Sequence, residues 1–177
     1  MGIFDIFRRR DSEGKPVDMG PDAEAWRNKG NALRSLRRSE EAIACYDKAL
    51  EANPRYAGAS CDKGLALGGL GRFEEAIACF DRALKGDPRD ALAWNGKGLA
   101  LGALGRAQEE ITCYDRALEL NSMDAGVWKS KGLALKALGK HKEAVACLKK
   151  FVELAPPQDA SPIWQAEEII RQLGGQI

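Results

Sequence analysis

The residues with the most chemical potential in this chain are its thiols, its single histidine and a row of lysines and aspartates. Cys45, Cys79, Cys113 and Cys147 recur at one constant interval. Four thiols are enough for one zinc ion, but zinc holds every sulfur at about 2.3 Å. Equivalent positions on stacked helices lie ~8–10 Å apart or more, and a disulfide needs Cα atoms within about 7 Å. The four therefore read as small buried apolar residues. Cys61 stands outside that series and is the better candidate for a reactive thiol, although an inert packing role is the expected one for it too. His141 would have to carry a Ser-His-Asp triad, a Cys-His dyad or a multi-histidine metal site alone. It opens a helix at a place where other copies of the pattern have Phe73 and Ala107, so packing at a helix start is its expected role. No phosphate loop, dinucleotide fingerprint or nucleophile elbow occurs. The expectation is a non-enzyme without metal or cofactor.

Lys29, Lys63 and Lys97 have Asp47, Asp81 and Asp115 at a constant offset, and Lys149 replaces the aspartate opposite Lys131. An ion-pair ladder between the two helices of each repeat is expected from that spacing, exposed and worth ~0–1 kcal/mol per rung.

These residues ride on a repeat. Lys63-Gly64-Leu65-Ala66-Leu67, Leu70-Gly71-Arg72 and Glu75-Ala76-Ile77-Ala78-Cys79-Phe80-Asp81 reappear, with variation, one period before and two periods after. Such a period marks an array of supersecondary units. Asp22 is a candidate N-cap of the first helix, with Ala23, Trp26, Gly30, Leu33 and Leu36 at helical spacing. Arg37-Arg38-Ser39 make a turn, with Ser39 the candidate N-cap of the second helix. That helix ends before Asn53-Pro54, where proline cannot continue it. Glycine inside a helix costs roughly 1 kcal/mol against alanine, so Gly30, Gly64, Gly98 and Gly132 imply close approach of a partner helix. Ala42, Ala49, Ala76, Ala83, Ala117 and Ala144 serve that contact from the other side. Gly71, Gly105 and Gly139 suit left-handed helix ends. After Pro156-Pro157, Ser161 as N-cap and Pro162 begin a last helix with Ile163, Ala166, Ile170 and Leu173 on one face, a terminal cap for the array.

The net charge of +1 gives no reason to expect a nucleic-acid partner. No apolar run approaches the ~20 residues that span a membrane, and no secretory pattern opens the sequence. Five cysteines without a CxxC pair suit a reducing compartment, so a cytoplasmic protein is expected. Residues 1–21 differ from the rest. Ile3, Phe4, Ile6 and Phe7 precede Arg8-Arg9-Arg10, and Asp11 to Pro21 has linker composition. Apolar residues beside three arginines suit peripheral contact with an anionic membrane surface. The plain reading of such a segment is a frayed terminus, and a third is a peptide arm that docks on a partner or on the array, in the same chain or in a homo-oligomer. Met1-Gly2 opens like a myristoylation signal, but Ile6 stands where Ser or Thr is needed.

Trp26, Trp94 and Trp128, the glycines, the alanine-then-aromatic pattern of the second helices and the closing prolines together resemble the tetratricopeptide repeat family. The resemblance covers about residues 22–156, in four repeats (22–55, 56–89, 90–123 and 124–157 approximately), with 158–177 as a C-terminal capping helix. It implies an all-α fold, a right-handed α-solenoid of stacked antiparallel helix pairs. The departures are lysine before each helix glycine, Ser60 for tryptophan, Glu110 for alanine, Ser122 for proline and Phe151 for alanine. Glu110 is expected to loosen the third repeat.

By analogy with the family, first helices line a concave groove that holds protein or peptide ligands. That assigns to the groove Glu24, Arg27, Asn28, Asn31 and Arg34, then Cys61, Asp62, Leu65, Gly68 and Gly69. Leu92, Asn95, Leu99, Gly102 and Ala103 follow, then Lys129, Ser130, Leu133, Lys136 and Ala137. The family's clamp for chaperone C-terminal tails is started by Arg27 and Asn31, but Asp62, Leu92 and Gly96 occupy its remaining positions. The groove reads polar at one end, apolar around Leu65, Leu99 and Leu133, and basic at Lys129 and Lys136. The expected role is a protein-interaction scaffold for a peptide with an apolar centre and acidic residues toward the basic end. The glycine-rich second repeat is the expected opening.

Overall fold

The computed structural model describes residues 22–156 and 160–176, in which there are nine helices and no strand. They are α1 (Ala23–Ser35), α2 (Ser39–Ala52), α3 (Ala57–Gly69), α4 (Phe73–Gly86), α5 (Ala91–Ala103), α6 (Ala107–Leu120), α7 (Ala125–Ala137), α8 (His141–Leu154) and α9 (Ala160–Gln172). Helices pair in chain order, α1 with α2 through α7 with α8. Each pair packs on the next, and α9 packs on α8. First helices also touch one another, α1 with α3, α3 with α5 and α5 with α7. This is an α-solenoid.

Close packing explains the helix glycines. A Cβ on Gly30 would lie 2.5 Å from the Tyr46 ring, on Gly64 2.8 Å from Phe80, on Gly98 2.7 Å from Tyr114 and on Gly132 2.9 Å from Leu148. Those four large side chains are fully buried, and Ala42, Ala49, Ala76, Ala83, Ala117 and Ala144 lie buried around them. In the fourth repeat Phe151 replaces the last small alanine because its neighbour is the cap. Phe151 and Leu148 form one buried cluster with Ala166 and Ile170 of α9.

The helix ends follow the repeat too. Asp22, Asp90 and Asp124 cap α1, α5 and α7, accepting from the backbone N–H of Ala25, Ala93 and Val127 at 2.7, 3.0 and 3.1 Å. α3 starts at Tyr56 without a side-chain cap. Gly71, Gly105 and Gly139 take φ of 77°, 72° and 72°. The next N–H of each returns to the helix, as in Arg72 N to Leu67 O at 3.0 Å, the Schellman closure. The first repeat makes the same turn with Arg37 at φ 59°. Ser39 is not the N-cap of α2. Arg38 takes that place, and its guanidinium grips Glu41 through Nε–Oε1 at 2.5 Å and Nη2–Oε2 at 2.6 Å. Arg72–Glu75 and Arg106–Glu109 repeat the arrangement, which puts a carboxylate in the first turn, where the helix dipole favours it. Likewise Ser161 falls inside the first turn of α9, which begins at Ala160. Ser122 replaces proline without loss of the turn, since Asn121 Oδ1 accepts from Met123 N at 3.2 Å as Asp87 Oδ1 does from Arg89 N at 3.0 Å.

The lysine–aspartate ladder exists in a different register. Lys63 pairs with Asp47 at 2.5 Å, Lys97 with Asp81 at 2.6 Å and Lys131 with Asp115 at 2.5 Å. The rungs therefore join each first helix to the preceding repeat instead of the two helices within one. Lys29 lies 5.2 Å from the Trp26 ring centroid, with Lys48 at 4.3 Å on the same ring, a cation–π arrangement.

Candidate peptide-binding groove

Helical spacing brings Leu92, Asn95, Leu99 and Gly102 to one face of α5, and Lys129, Leu133 and Lys136 to one face of α7. Leu92 and Leu99 are each 51% exposed and Leu133 is 42% exposed, large values for residues on the helices that stack against one another. Leu65 is half-buried on α3. Asn28 and Arg34 are exposed on α1, and Ser130 is half-buried on α7. The Oδ1 of Asn95 is buried and accepts no hydrogen bond from the described residues.

Between α3, α4 and α5 lies an open apolar pocket of about 190 Å³, lined by Gly64, Leu65, Gly68, Gly69, Phe73, Phe80, Gly96, Leu99 and Ala100. That is several times the ~30 Å³ a water occupies in the liquid, so it has room for an apolar side chain. Its cause is a coincidence of small residues in repeats two and three. A Cβ on Gly68 or Gly69 would meet nothing within 4 Å. The Phe80 ring is held from both sides, because a Cβ on Gly64 would come to 2.8 Å from it and one on Gly96 to 2.5 Å. Phe80 also lacks the hydroxyl of Tyr46 and Tyr114, so it brings no polar atom to the pocket. Among these lining residues Leu65, Gly68, Gly69 and Leu99 are expected from the family analogy. Gly64, Phe73, Phe80, Gly96 and Ala100 are not, and the signal for them was the simultaneous loss of side chains at positions 64, 68, 69 and 96.

Two expected groove residues are withdrawn from the surface. Cys61 is 3% exposed and Asp62 6% exposed. Burial, then the nearby Asp90 and Asp62 carboxylates, push the Cys61 thiol up to about 12, which keeps it protonated and unreactive. This agrees with the inert reading of Cys61. Burial likewise raises Cys79, Cys113 and Cys147, with Cys113 at about 11. Asp62 is engaged by Arg27, whose Nε donates at 2.6 Å and whose Nη1 donates to the Tyr56 hydroxyl at 3.4 Å. Asn31 accepts from the Tyr46 hydroxyl at 2.7 Å. The two side chains that begin the clamp pattern are therefore both occupied within the chain. His141 is exposed at the start of α8, so it does not pack there as expected.

Glu110 stands at the contact between α5 and α6, as expected. Its carboxylate lies over Gly102, where a Cβ would be 2.6 Å away, and accepts from the Tyr114 hydroxyl at 3.1 Å. Partial burial raises its carboxyl above the ordinary range, and the Tyr114 hydrogen bond pulls the other way. It makes no ion pair among the described residues.

A second, smaller apolar notch of about 70 Å³ lies between α7 and α9, lined by Lys129, Leu133, Leu148, Pro162, Gln165, Ala166 and Ile169. No helix among the described residues is long and apolar enough to cross a membrane. The membrane and arm expectations fall on residues 1–21, outside the described residues.

Among solved structures the chain is similar to MamA, residues 41 to the end, from Desulfovibrio magneticus RS-1. The two are 26% identical with a TM-score of 0.71, over 78% of this chain and 78% of that one. It is similar to YrrB, "a TPR protein with an unusual peptide-binding site", at 26% identity and a TM-score of 0.72, over 88% of this chain and 79% of that one. The first TPR of Spaghetti (RPAP3) bound to the HSP90 peptide SRMEEVD is 26% identical with a TM-score of 0.65, over 66% of this chain and 93% of that one. No curated protein matches the chain. Models of the tetratricopeptide repeat match residues 23–56, 61–125 and 125–158. The first and last matches coincide with the pairs α1–α2 and α7–α8, and the middle one spans most of α3 to α6, so the chain belongs to the tetratricopeptide repeat family.

Proposed function

We propose that this protein is a non-catalytic interaction scaffold that binds a peptide segment along its first helices, anchoring one apolar side chain in the pocket over Phe80. The pocket carries the reading. It is apolar, its lining includes the exposed Leu99, which shares a face of α5 with Leu92, and Gly68 and Gly69 in its wall leave room for a peptide backbone to come close. Lys129 and Lys136 on α7 favour acidic residues in the segment that runs past the third repeat. A carboxylate-tail clamp is not the mode, because Arg27 is already neutralised by Asp62. The one neighbour bound to a peptide and the one titled for its peptide-binding site support a peptide ligand as a class and leave its sequence to the groove.

Selection of peptides from a random display library against the full chain tests this. Binders should share one large apolar residue, and Leu99→Glu should abolish their capture. Binders indifferent to Leu99→Glu would refute the groove.

A further inference from the structure

We infer that the pocket over Phe80 and the Glu110 carboxylate beside it form one composite site for the chain's own N-terminal arm, residues 3–10, folded back in the same molecule. The assignment rests on the groove reading above and names its first ligand. Two independent features of repeats two and three define what fits. The first is the apolar pocket, whose lining includes Leu99 and Ala100 of α5. The second is Glu110, whose carboxylate sits over Gly102, one helical turn from Leu99 on α5. No cation among the described residues pairs with it, although the other repeats have alanine at this place (Ala42, Ala76 and Ala144). A ligand that satisfies both must carry a large apolar side chain followed within a few residues by a cation.

Ile3-Phe4-Asp5-Ile6-Phe7-Arg8-Arg9-Arg10 has that order. With Phe7 in the pocket, Arg8 to Arg10 follow at about 3.3 Å per residue, within side-chain reach of a group one turn away. The connection is long enough, since residues 8–21 separate Phe7 from Asp22 at the start of α1. From there the pocket lies two neighbouring first helices across and most of one helix length along, roughly 20–25 Å by helix dimensions. A linker of that length and composition has a root-mean-square span of about 20 Å and a limit of about 46 Å. Tethering at that distance gives an effective concentration of millimolar order, so even weak docking would hold the groove shut against outside peptides.

The test uses a fluorescent peptide of residues 1–12 and full-length receptors. A receptor with Ile3, Phe4, Ile6 and Phe7 all changed to Ser should bind the peptide at least about tenfold more tightly than the unaltered chain does, since its own arm no longer competes. In that receptor, Gly68→Leu or Leu99→Glu should abolish binding, and Glu110→Gln should weaken it about tenfold at low salt and less at high salt. Equal affinity for the two unsubstituted-pocket receptors, or binding that ignores the pocket variants, would overturn the inference. So would a mass that doubles with concentration through residues 3–10, which assigns the arm to a second copy. Flotation of the chain with phosphatidylserine vesicles that ignores the pocket variants would assign it to a membrane. If the arm peptide fails while library peptides still bind in a Leu99-dependent way, the arm falls and the groove stands; if neither binds, both fall.

Discussion

Gly64 and Gly68 lie one turn apart on α3, and substituting each with alanine should move stability in opposite directions. Alanine in a helix interior is favoured over glycine by about 1 kcal/mol. At Gly68 nothing lies within 4 Å of the new methyl, so the gain is kept whole. For a chain of this size that is a Tm increase of about 2–4 °C. At Gly64 the methyl would stand 2.8 Å from Phe80, whose ring is already 2.5 Å from a Cβ position on Gly96 and cannot retreat that way. Overpacking of this kind costs ~1–3 kcal/mol, toward the upper end for a ring held on both faces, so Gly64→Ala should be destabilising by about 1–2 kcal/mol after the helix gain. Urea unfolding followed by circular dichroism measures both. Gly68→Leu retains nearly all the helix gain and fills the pocket, so it should raise the urea midpoint while losing peptide capture. Two alanine variants that shift the midpoint in the same direction would refute the packing argument. A Gly68→Leu protein that is more stable yet still binds would refute the pocket.

Other expectations are simpler. Arg37→Gly should stabilise by about 1 kcal/mol, because Arg37 holds φ 59° where the later repeats have glycine; thermal unfolding checks it. Lys97 and Asp81 should couple by about 0.5 kcal/mol in a double-mutant cycle, both side chains being partly exposed, whereas Lys97 and Asp115 should not couple. With the arm undocked, as in the chain whose Ile3, Phe4, Ile6 and Phe7 are all changed to Ser, Glu110→Gln should stabilise at neutral pH. The raised carboxyl of Glu110 means the folded chain holds its proton more tightly than the unfolded chain does. Stability contributed by the protonated form is therefore lost as pH rises through the raised value, and the gap between variant and parent should close below the ordinary glutamate range. Cys45, Cys61, Cys113 and Cys147 should resist iodoacetamide until denaturant is added, as mass spectrometry of the labelled peptides would report.

Much of the fold can be read from the period alone. A glycine that recurs inside a helix has to face a large partner, and one that recurs after a helix has to take positive φ; Gly30 to Gly132 and Gly71 to Gly139 do so. What the period hides is what happens where a copy departs from it. The first repeat has no glycine after α1, so nothing in its residues marked Arg37 as left-handed. Arg38 took the capping place from Ser39 because its pairing with Glu41 spans the first turn, a contact made by a long side chain that a cap preference does not include. Cys61 and Asp62 sit at groove positions by analogy, yet Arg27 reaches over from α1 and draws Asp62 into a pair. Gly58 leaves it room, since a Cβ there would be only 3.1 Å from the guanidinium. The pocket is harder still to read. It comes from four absent side chains on two helices around one ring, and no single position signals it.

The ladder shows the limit of periodic reasoning in its plainest form. When lysine and aspartate recur with the same period, the separation within a repeat (Lys63 to Asp81) and the separation across repeats (Asp47 to Lys63) are equally constant. Periodicity cannot choose between them; only an end of the array can. At the C-terminal end, a ladder within repeats needs an aspartate opposite Lys131, and the chain has Lys149 there. A ladder across repeats needs an aspartate at position 149 only if position 165 carries a lysine, and the residue there is Gln165. The loss of aspartate at 149 together with lysine at 165 fits the cross-repeat register that the structure has, in which Lys131 is satisfied by Asp115. Rungs placed between repeats also do something that rungs within them would not. They add to the interfaces that couple neighbouring units, the term on which the cooperativity of a linear array depends.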